Sequence, residues 1–286
     1  MRAPWLFRAA WLVVPFLVGP ALAAALDDSS SPGRTIVSVA LWAVWALTML
    51  ATLVPRTFTL TLVRVVAPAT LLVTVWATID AGFDANAAVG LIGAGAVAVL
   101  VFDPALGEVF VNGSSYGPEL RLPLRPPAAV LLGPLPVAWL VSVLGLAVGP
   151  TLLAHELWVA GLLLTGIGAP LAGFALRSLH GLSRRWLVFV PGGLVVHDPL
   201  ALAEPVLMPT SVVGAVRPAP AHSSDERLDL SGSAPGLAIQ IDVDPAVGFG
   251  VTQAARHTEL IETEIVLVTP SRPNRLVSEA AERLKV

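Results

Sequence analysis

The segment from Phe174 to Asp198, FALRSLHGLSRRWLVFVPGGLVVHD, separates two kinds of sequence. Before it, the chain consists of long apolar runs with few charges. After it, short apolar runs alternate with Pro, Gly, Ser and Asp. Long uncharged runs are typical of membrane-spanning helices, and short alternating runs are typical of half-buried strands. We therefore predict an α-helical polytopic membrane domain over residues 1–177 and a small β-rich domain over residues 184–286.

The composition supports a multi-pass membrane protein. Of the 286 residues, 55% are hydrophobic and 13% are charged, whereas a soluble domain carries roughly 25% charged residues. The formal net charge is −3, so the chain has no basic surplus for nucleic acid, and we expect no nucleic-acid partner. The absence of cysteine excludes disulfides, thiolate metal sites and cysteine nucleophiles.

Six apolar segments are long enough to be considered as spans, and five or seven spans are alternatives. The second has no charge over the length that crosses a bilayer. The first ends in ALAAALDD and also matches a signal peptide. We interpret it as an uncleaved span because it is long and the later spans need an orienting first helix. The predicted spans are residues 5–26, 36–54, 58–79, 87–102, 128–149 and 157–176.

The arginines predict the topology, because cytoplasmic loops carry an excess of positive charge near the span ends. Alternate connections contain Arg2, Arg8, Arg56, Arg121, Arg125, Arg177, Arg184 and Arg185. The other connections contain Asp27, Asp28, Arg34, Asp80, Asp84, His155 and Glu156. This pattern predicts both termini in the cytoplasm. A single lysine among many arginines, with abundant Ala, Val, Leu, Gly and Pro, is typical of a high-GC bacterium. We therefore expect the protein in a bacterial plasma membrane.

Two spans carry small residues at four-residue spacing, a pattern that allows close approach of helix backbones. We predict that these residues mediate helix packing, within the bundle, at a homodimer face or along a movable transporter helix. They are Gly90, Ala94 and Ala98 in the fourth span and Gly161, Thr165, Ala169 and Gly173 in the sixth.

The connection from Asp103 to Pro127 is too long for a tight turn. Its centre, VFVNGSSYG, predicts a hairpin with Asn112-Gly113 as the turn. We hypothesise that this connection docks against the C-terminal domain.

The C-terminal part has the pattern of an antiparallel β domain closed by a helix. Pro191-Gly192-Gly193 separates two strand-like runs and predicts a hairpin. Polar residues from Arg217 to Gly236 predict a long loop. An amphipathic helix is expected after Pro273. The predicted strands are Trp186–Val190, Leu194–His197, Pro205–Met208, Val212–Val216, Leu237–Val243 and Leu260–Thr269.

Three segments carry a resemblance to a known family: RRWLVFVPGGLVVHD, LAIQIDV and IVLVTPSRPNRLVSEAAERL. As first hairpin, middle strand, and last strand with turn and helix, they resemble a bacterial pleckstrin-homology-like (PH-like) domain. The whole chain is similar to uncharacterised actinobacterial multi-pass membrane proteins that carry this domain. The resemblance implies a small β-barrel that serves as an interaction or scaffolding module without catalytic residues. The first hairpin loop, Pro191-Gly192-Gly193, has no basic residue, so we do not expect inositol-phosphate recognition there.

The sequence contains no catalytic, cofactor-binding or metal-binding motif that we would assign. The pair Asp80 and Asp84 is interpreted as a solvated loop, His155-Glu156 as a cap beside the last span, and His197-Asp198 as a turn. Arg8 and Arg64 lie within about two turns of span ends, where long side chains reach the interface. We interpret both as anchors.

The expected function is an integral membrane anchor or scaffold that presents a cytoplasmic PH-like interaction module. Its expected partners are the lipid bilayer and another membrane or cytoplasmic protein, and a homo-oligomer is possible. Arg177, Arg184, Arg185 and Trp186 are predicted to anchor the module at the lipid headgroups. The alternative is a small transporter or channel component that uses the Gly-rich spans. A third option, an intramembrane enzyme, would use the Asp80, Asp84, His155 and Glu156 side chains.

Overall fold

A computed structural model describes residues 2–27, 29–220, 227–252 and 257–285. The chain divides into two compact units, one formed by residues 1–110 and 137–179 and the other by residues 111–136 and 180–286. The first unit is helical, and the second contains two β-sheets and a final helix. The prediction of an apolar helical part followed by a β-rich part is therefore confirmed.

Eight helices precede the C-terminal sheets in the described residues. They are α1 (Arg2–Ala25), α2 (Ser31–Leu53), α3 (Thr57–Ala81), α4 (Ala85–Leu100), α5 (Pro104–Asn112), α6 (Ala128–Leu132), α7 (Pro134–Ala154) and α8 (Trp158–Leu182). Five of them, α1, α2, α3, α7 and α8, are long and apolar enough to cross a membrane. The sixth candidate is the bent pair of α4 and α5. The multi-pass prediction is confirmed at this level. The fifth predicted span is interrupted at Gly133, between α6 and α7.

One face of the first helix packs against the other helices of the helical unit. Phe7 and Trp11 are each 1% exposed, and α1 contacts α2, α3 and α4. The indole Nε1 of Trp11 donates to the Trp45 carbonyl at 3.1 Å, and the indole Nε1 of Trp45 donates to the Trp11 carbonyl at 2.9 Å. These reciprocal bonds join α1 to α2 and satisfy both indole donors in apolar surroundings.

The predicted hairpin at Asn112-Gly113 is wrong, because this segment is the end of α5. α4 and α5 meet at a bend of 56°. The Asp103 carboxylate accepts from the amide of Ala105 at 2.7 Å, and Pro104 begins the helix. Proline suits the first position of a helix, and an Asn followed by Gly commonly ends one. The same dipeptide that favours a hairpin turn therefore stops a helix here.

The described residues of the second unit form eight strands in two sheets. They are β1 (Leu120–Pro123), β2 (Trp186–Val190), β3 (Gly193–His197), β4 (Val206–Pro209), β5 (Val213–Pro218), β6 (Leu228–Asp229), β7 (Ile239–Thr252) and β8 (Thr258–Val268). One sheet has the order β1-β2-β3-β4, and the other has the order β5-β7-β8-β6. The predicted hairpin around Pro191-Gly192-Gly193 is confirmed, because β2 pairs antiparallel with β3. The predicted loop over residues 217–236 contains β6, and its residues 221–226 lie outside the described part of the chain.

A single apolar core fills the space between the sheets. Its fully buried side chains include Phe189 and Phe249. The final helix, α9 (Pro273–Arg283), contributes Leu276 and Ala280, and Leu284 follows it into the same core. The amphipathic helix predicted after Pro273 is thus confirmed.

Strand β1 belongs to the β-rich unit although it precedes α7 and α8 in the chain. It pairs antiparallel with β2, with Leu120 opposite Phe189 and Pro123 opposite Trp186. Leu120 and Leu122 are buried, and Arg121 and Pro123, which alternate with them, are half-buried. The hypothesis that the 103–127 connection docks against the C-terminal strands is confirmed for this segment.

Candidate functional site in the β-rich unit

Residues 120–125, which precede α7 and α8 in the chain but belong to the β-rich unit, are called the inserted segment here. A buried ion pair connects this segment to the C-terminal strands. The Arg185 guanidinium donates from Nε to Asp198 Oδ1 at 2.8 Å and from Nη2 to Asp198 Oδ2 at 2.6 Å. Its Nη1 donates to the Arg125 carbonyl at 2.7 Å, and its Nη2 also reaches the Leu230 carbonyl at 3.3 Å. The two side chains are 2% and 0% exposed. One guanidinium therefore holds together three segments that are distant in sequence.

The inserted segment continues beyond β1 and closes the gap between the two sheets. The Leu124 amide donates to the Arg185 carbonyl at 3.0 Å, and Leu124 forms an antiparallel bridge with Pro270. The Arg125 amide donates to the Thr269 carbonyl at 2.8 Å. Residues 120–125 thus lie between β2 of the first sheet and the segment that follows β8 of the second.

Asn112 protects the outer edge of β1. Its Nδ2 donates to the Arg121 carbonyl at 2.7 Å, and its Oδ1 accepts from the Arg121 amide at 2.8 Å. An edge strand otherwise presents unpaired backbone groups that attract other chains. The amide side chain of Asn112 replaces a neighbouring strand at this position.

Two of the four predicted membrane anchors are buried residues of the β-rich unit. Arg185 is enclosed by the contacts described above. The Trp186 ring is 8% exposed, stacks on His197 at a centroid distance of 4.8 Å and lies under the Arg121 guanidinium at 5.5 Å. The headgroup-anchor prediction is therefore wrong for Arg185 and Trp186. Arg177 and Arg184 are exposed, and their anchoring role stays a prediction.

The small residues of α4 lie against α1 and α3. Gly90 and Ala94 are buried, whereas Ala98 is half-buried. A Cβ at Gly90 would approach Thr74 Cγ2 at 3.2 Å and the Leu17 carbonyl oxygen at 3.3 Å. The structure also brings Gly93 against Leu17, a contact that the four-residue spacing does not include.

The small residues of α8 only partly face α7. Gly161 lies against Leu153, and Thr165 lies against Gly149. Ala169 and Gly173 are exposed, and the next close contact is instead between Gly168 and Gly145. The stripe predicted at strict four-residue spacing drifts away from the partner helix, because an α-helix has 3.6 residues per turn.

The bend between α4 and α5 contains polar groups inside the helical unit. The Arg64 guanidinium lies 6.0 Å from the centre of the Phe102 ring, and its Nη2 occupies the space beside Gly107, where a Cβ would come within 2.7 Å. Glu108 is 4% exposed. Arg64 Nε is buried and has no hydrogen-bond acceptor among the described residues.

The other candidate ionisable residues have structural positions. Asp84 caps α4, accepting from the Ala87 amide at 2.7 Å, and Asp80 is exposed. His155 and Glu156 are exposed between α7 and α8. Within the described ranges, no group of three or more His, Asp or Glu side chains could hold a metal ion.

Comparison with protein-family models, with curated proteins and with solved structures finds no match to this chain.

Proposed function

We propose that this protein is an integral scaffold of a bacterial plasma membrane whose β-rich unit is a PH-like interaction module on the cytoplasmic side. The observation that supports this proposal is the insertion of β1 between membrane-spanning helices. The chain enters the β-rich unit before α7 and again after α8, so the module is covalently attached to the membrane part at several points. Such attachment suits a module that holds a partner at the membrane.

The surface of the β-rich unit offers apolar contacts for a protein partner. Leu207 on β4 is 47% exposed, and Leu260 on β8 is 70% exposed. Exposed apolar side chains surrounded by polar residues are common in protein interfaces. The proposed partner is another membrane or cytoplasmic protein, with a second copy of this chain as one form of it.

Site-specific crosslinking in native membranes tests the scaffold function. A photoreactive residue is placed at Leu260 or Leu207 of the full chain, and the control position is the exposed Glu282 on α9. We expect one discrete protein adduct from a strand position and none from position 282. Removal of residues 184–286 is a poorer test, because it leaves β1 without β2. Uniform adducts from all three positions, or none, would contradict the proposal.

The second candidate function, a small transporter or channel component, is favoured by the bend of α4 and α5. Interrupted spans with ionisable residues beside the break are characteristic of transport sites. Arg64 and Glu108 provide such residues. Measurement of solute flux in proteoliposomes tests this function. A flux that falls with Arg64→Gln would favour transport over scaffolding. The flux should also persist when the crosslinking positions Leu207 and Leu260 in the β-rich unit are blocked.

A further inference from the structure

Arg125 and Thr269 lie directly opposite each other where the inserted segment meets the end of the second sheet. The bridge between Leu124 and Pro270 and the bond from the Arg125 amide to the Thr269 carbonyl establish the pairing. Opposed residues of an antiparallel pair project to the same face, with Cβ atoms roughly 4.5–5.5 Å apart. Leu124 belongs to the core, so Arg125 and Thr269 project to the other face. By the same pairing, Ser271 lies opposite Pro123 on that face.

The side chains of Arg125, Thr269 and Ser271 have no hydrogen-bond partners among the described residues. Thr269 is 2% exposed, yet its Oγ1 makes no hydrogen bond, and the buried Ser271 Oγ makes none either. The Arg125 guanidinium forms no ion pair or hydrogen bond there. It rests on Gly236, where an added Cβ would lie 3.2 Å from Arg125 Nε. Buried polar groups are normally satisfied, so two orphaned hydroxyls on the face from which an unpaired arginine side chain extends require an explanation.

We propose that Arg125, Thr269 and Ser271 form a binding site for a phosphate group. A guanidinium presents two parallel N–H donors that match two oxygens of a phosphate, and each hydroxyl can donate to a further oxygen. Inorganic phosphate and the phosphate of an anionic lipid headgroup share this chemistry.

The surroundings of the three side chains suit an anion. The adjacent loop, residues 230–237, has the sequence LSGSAPGL and contains no carboxylate. The nearest acid in sequence, Asp229, is engaged with the Ser231 amide at 2.8 Å. Arg185 holds the Arg125 carbonyl at 2.7 Å, and its own charge is balanced by Asp198. Arg185 is thus a positioning residue that fixes the backbone from which Arg125 extends.

Arg125 is a solvent-accessible member of the site. Both hydroxyl oxygens are covered from solvent, whereas Arg125 is half-exposed. Because the guanidinium touches Gly236 without a hydrogen bond, its displacement breaks no polar contact. A phosphate that enters the site accepts hydrogen bonds from the Arg125 guanidinium and then from the two hydroxyls. This site is independent of the proposed scaffold function, since a partner protein would use other residues.

Titration calorimetry of the full chain in a neutral detergent tests the site. The probes are inorganic phosphate and a short-chain phosphatidylglycerol, each at constant ionic strength in chloride. We expect Arg125→Gln to weaken binding at least tenfold and Thr269→Val to weaken it several-fold. Thr269→Val keeps the side-chain shape and removes an unsatisfied hydroxyl, so this variant stays folded. The matched control is Arg217→Gln, which removes an exposed arginine paired with Asp242 in the same unit.

The outcomes distinguish a free phosphate anion from a lipid headgroup as the ligand, and they also test whether the site exists. Binding of inorganic phosphate with the expected losses indicates a free anion, and binding of the lipid alone indicates a headgroup; both support the site. If neither probe binds above the chloride background, the proposal is overturned. It is also overturned if Arg125→Gln and Thr269→Val bind like the wild-type chain, or if Arg217→Gln loses as much affinity as they do.

Discussion

The Arg185 guanidinium and the Asp198 carboxylate form a two-point ion pair in the interior of the β-rich unit, with Nε–Oδ1 at 2.8 Å and Nη2–Oδ2 at 2.6 Å. Removal of one member of a buried pair leaves an uncompensated charge, at a cost of about 3–5 kcal/mol. We expect Arg185→Gln or Asp198→Asn to lower the free energy of unfolding of this unit by that amount. Thermal unfolding of the full chain in detergent measures the change.

The exposed pair of Arg217 and Asp242 provides the control for this prediction. Arg217 is 60% exposed at its side chain, so Arg217→Gln should cost about 0–1 kcal/mol. Combining Arg185→Gln with Asp198→Asn should cost less than the sum of the two single changes, because neither charge is then left alone. Strict additivity would argue against a coupled pair.

Asn112 stabilises the outer edge of β1 through its two bonds to Arg121. A net hydrogen bond contributes about 0.5–1.5 kcal/mol, so Asn112→Ala should destabilise the edge by roughly 1–3 kcal/mol. Hydrogen–deuterium exchange should show faster exchange of the amides of residues 120–123, while the amides of β7 stay protected. Ser114→Ala removes only the bond from Arg121 Nη1 to the Ser114 hydroxyl and serves as the control. Equal exchange in both variants would contradict the role of Asn112.

The sequence predicted the elements whose signals are local. The β2–β3 hairpin follows from Pro191-Gly192-Gly193, and α9 follows from Pro273 and its apolar face. The helical unit follows from long uncharged apolar runs, which are typical of membrane-spanning helices. In each case the residues that define the element lie within one segment of the chain.

The features that the sequence did not predict depend on distant partners. Strand β1 has only four residues, too few for a periodic pattern, and its pairing with β2 joins residues more than sixty positions apart. Arg185 follows Arg184 in a cluster that suggests headgroup contact, and only the fold brings Asp198 to its guanidinium. The sequence likewise places Arg125 only among the loop charges, since nothing in sequence connects it to Thr269 and Ser271. Long-range pairing therefore limits what periodicity can show.

Gly149 allows α7 and α8 to approach closely. A Cβ at this position would lie 2.5 Å from the Thr165 backbone nitrogen, a distance that requires the helices to separate. We expect Gly149→Val to weaken their packing and to lower the temperature at which the full chain unfolds in detergent. Gly173→Ala is the control, because no heavy atom lies within 4 Å of its added Cβ. An unchanged unfolding temperature for Gly149→Val would show that this approach does not determine the packing.

The predicted topology places the β-rich unit in the cytoplasm and the connection between α3 and α4 outside. The chain contains no cysteine, so single introduced cysteines report accessibility without background. Phe83, between α3 and α4, is 73% exposed, and Glu282 on α9 is also exposed; position 225, another choice, lies outside the described residues. A membrane-impermeant maleimide should label Phe83→Cys in intact cells and label Glu282→Cys only after permeabilisation. Because arginines flank α8 on the side of the β-rich unit, the opposite labelling pattern would mean that this charge bias does not orient the protein.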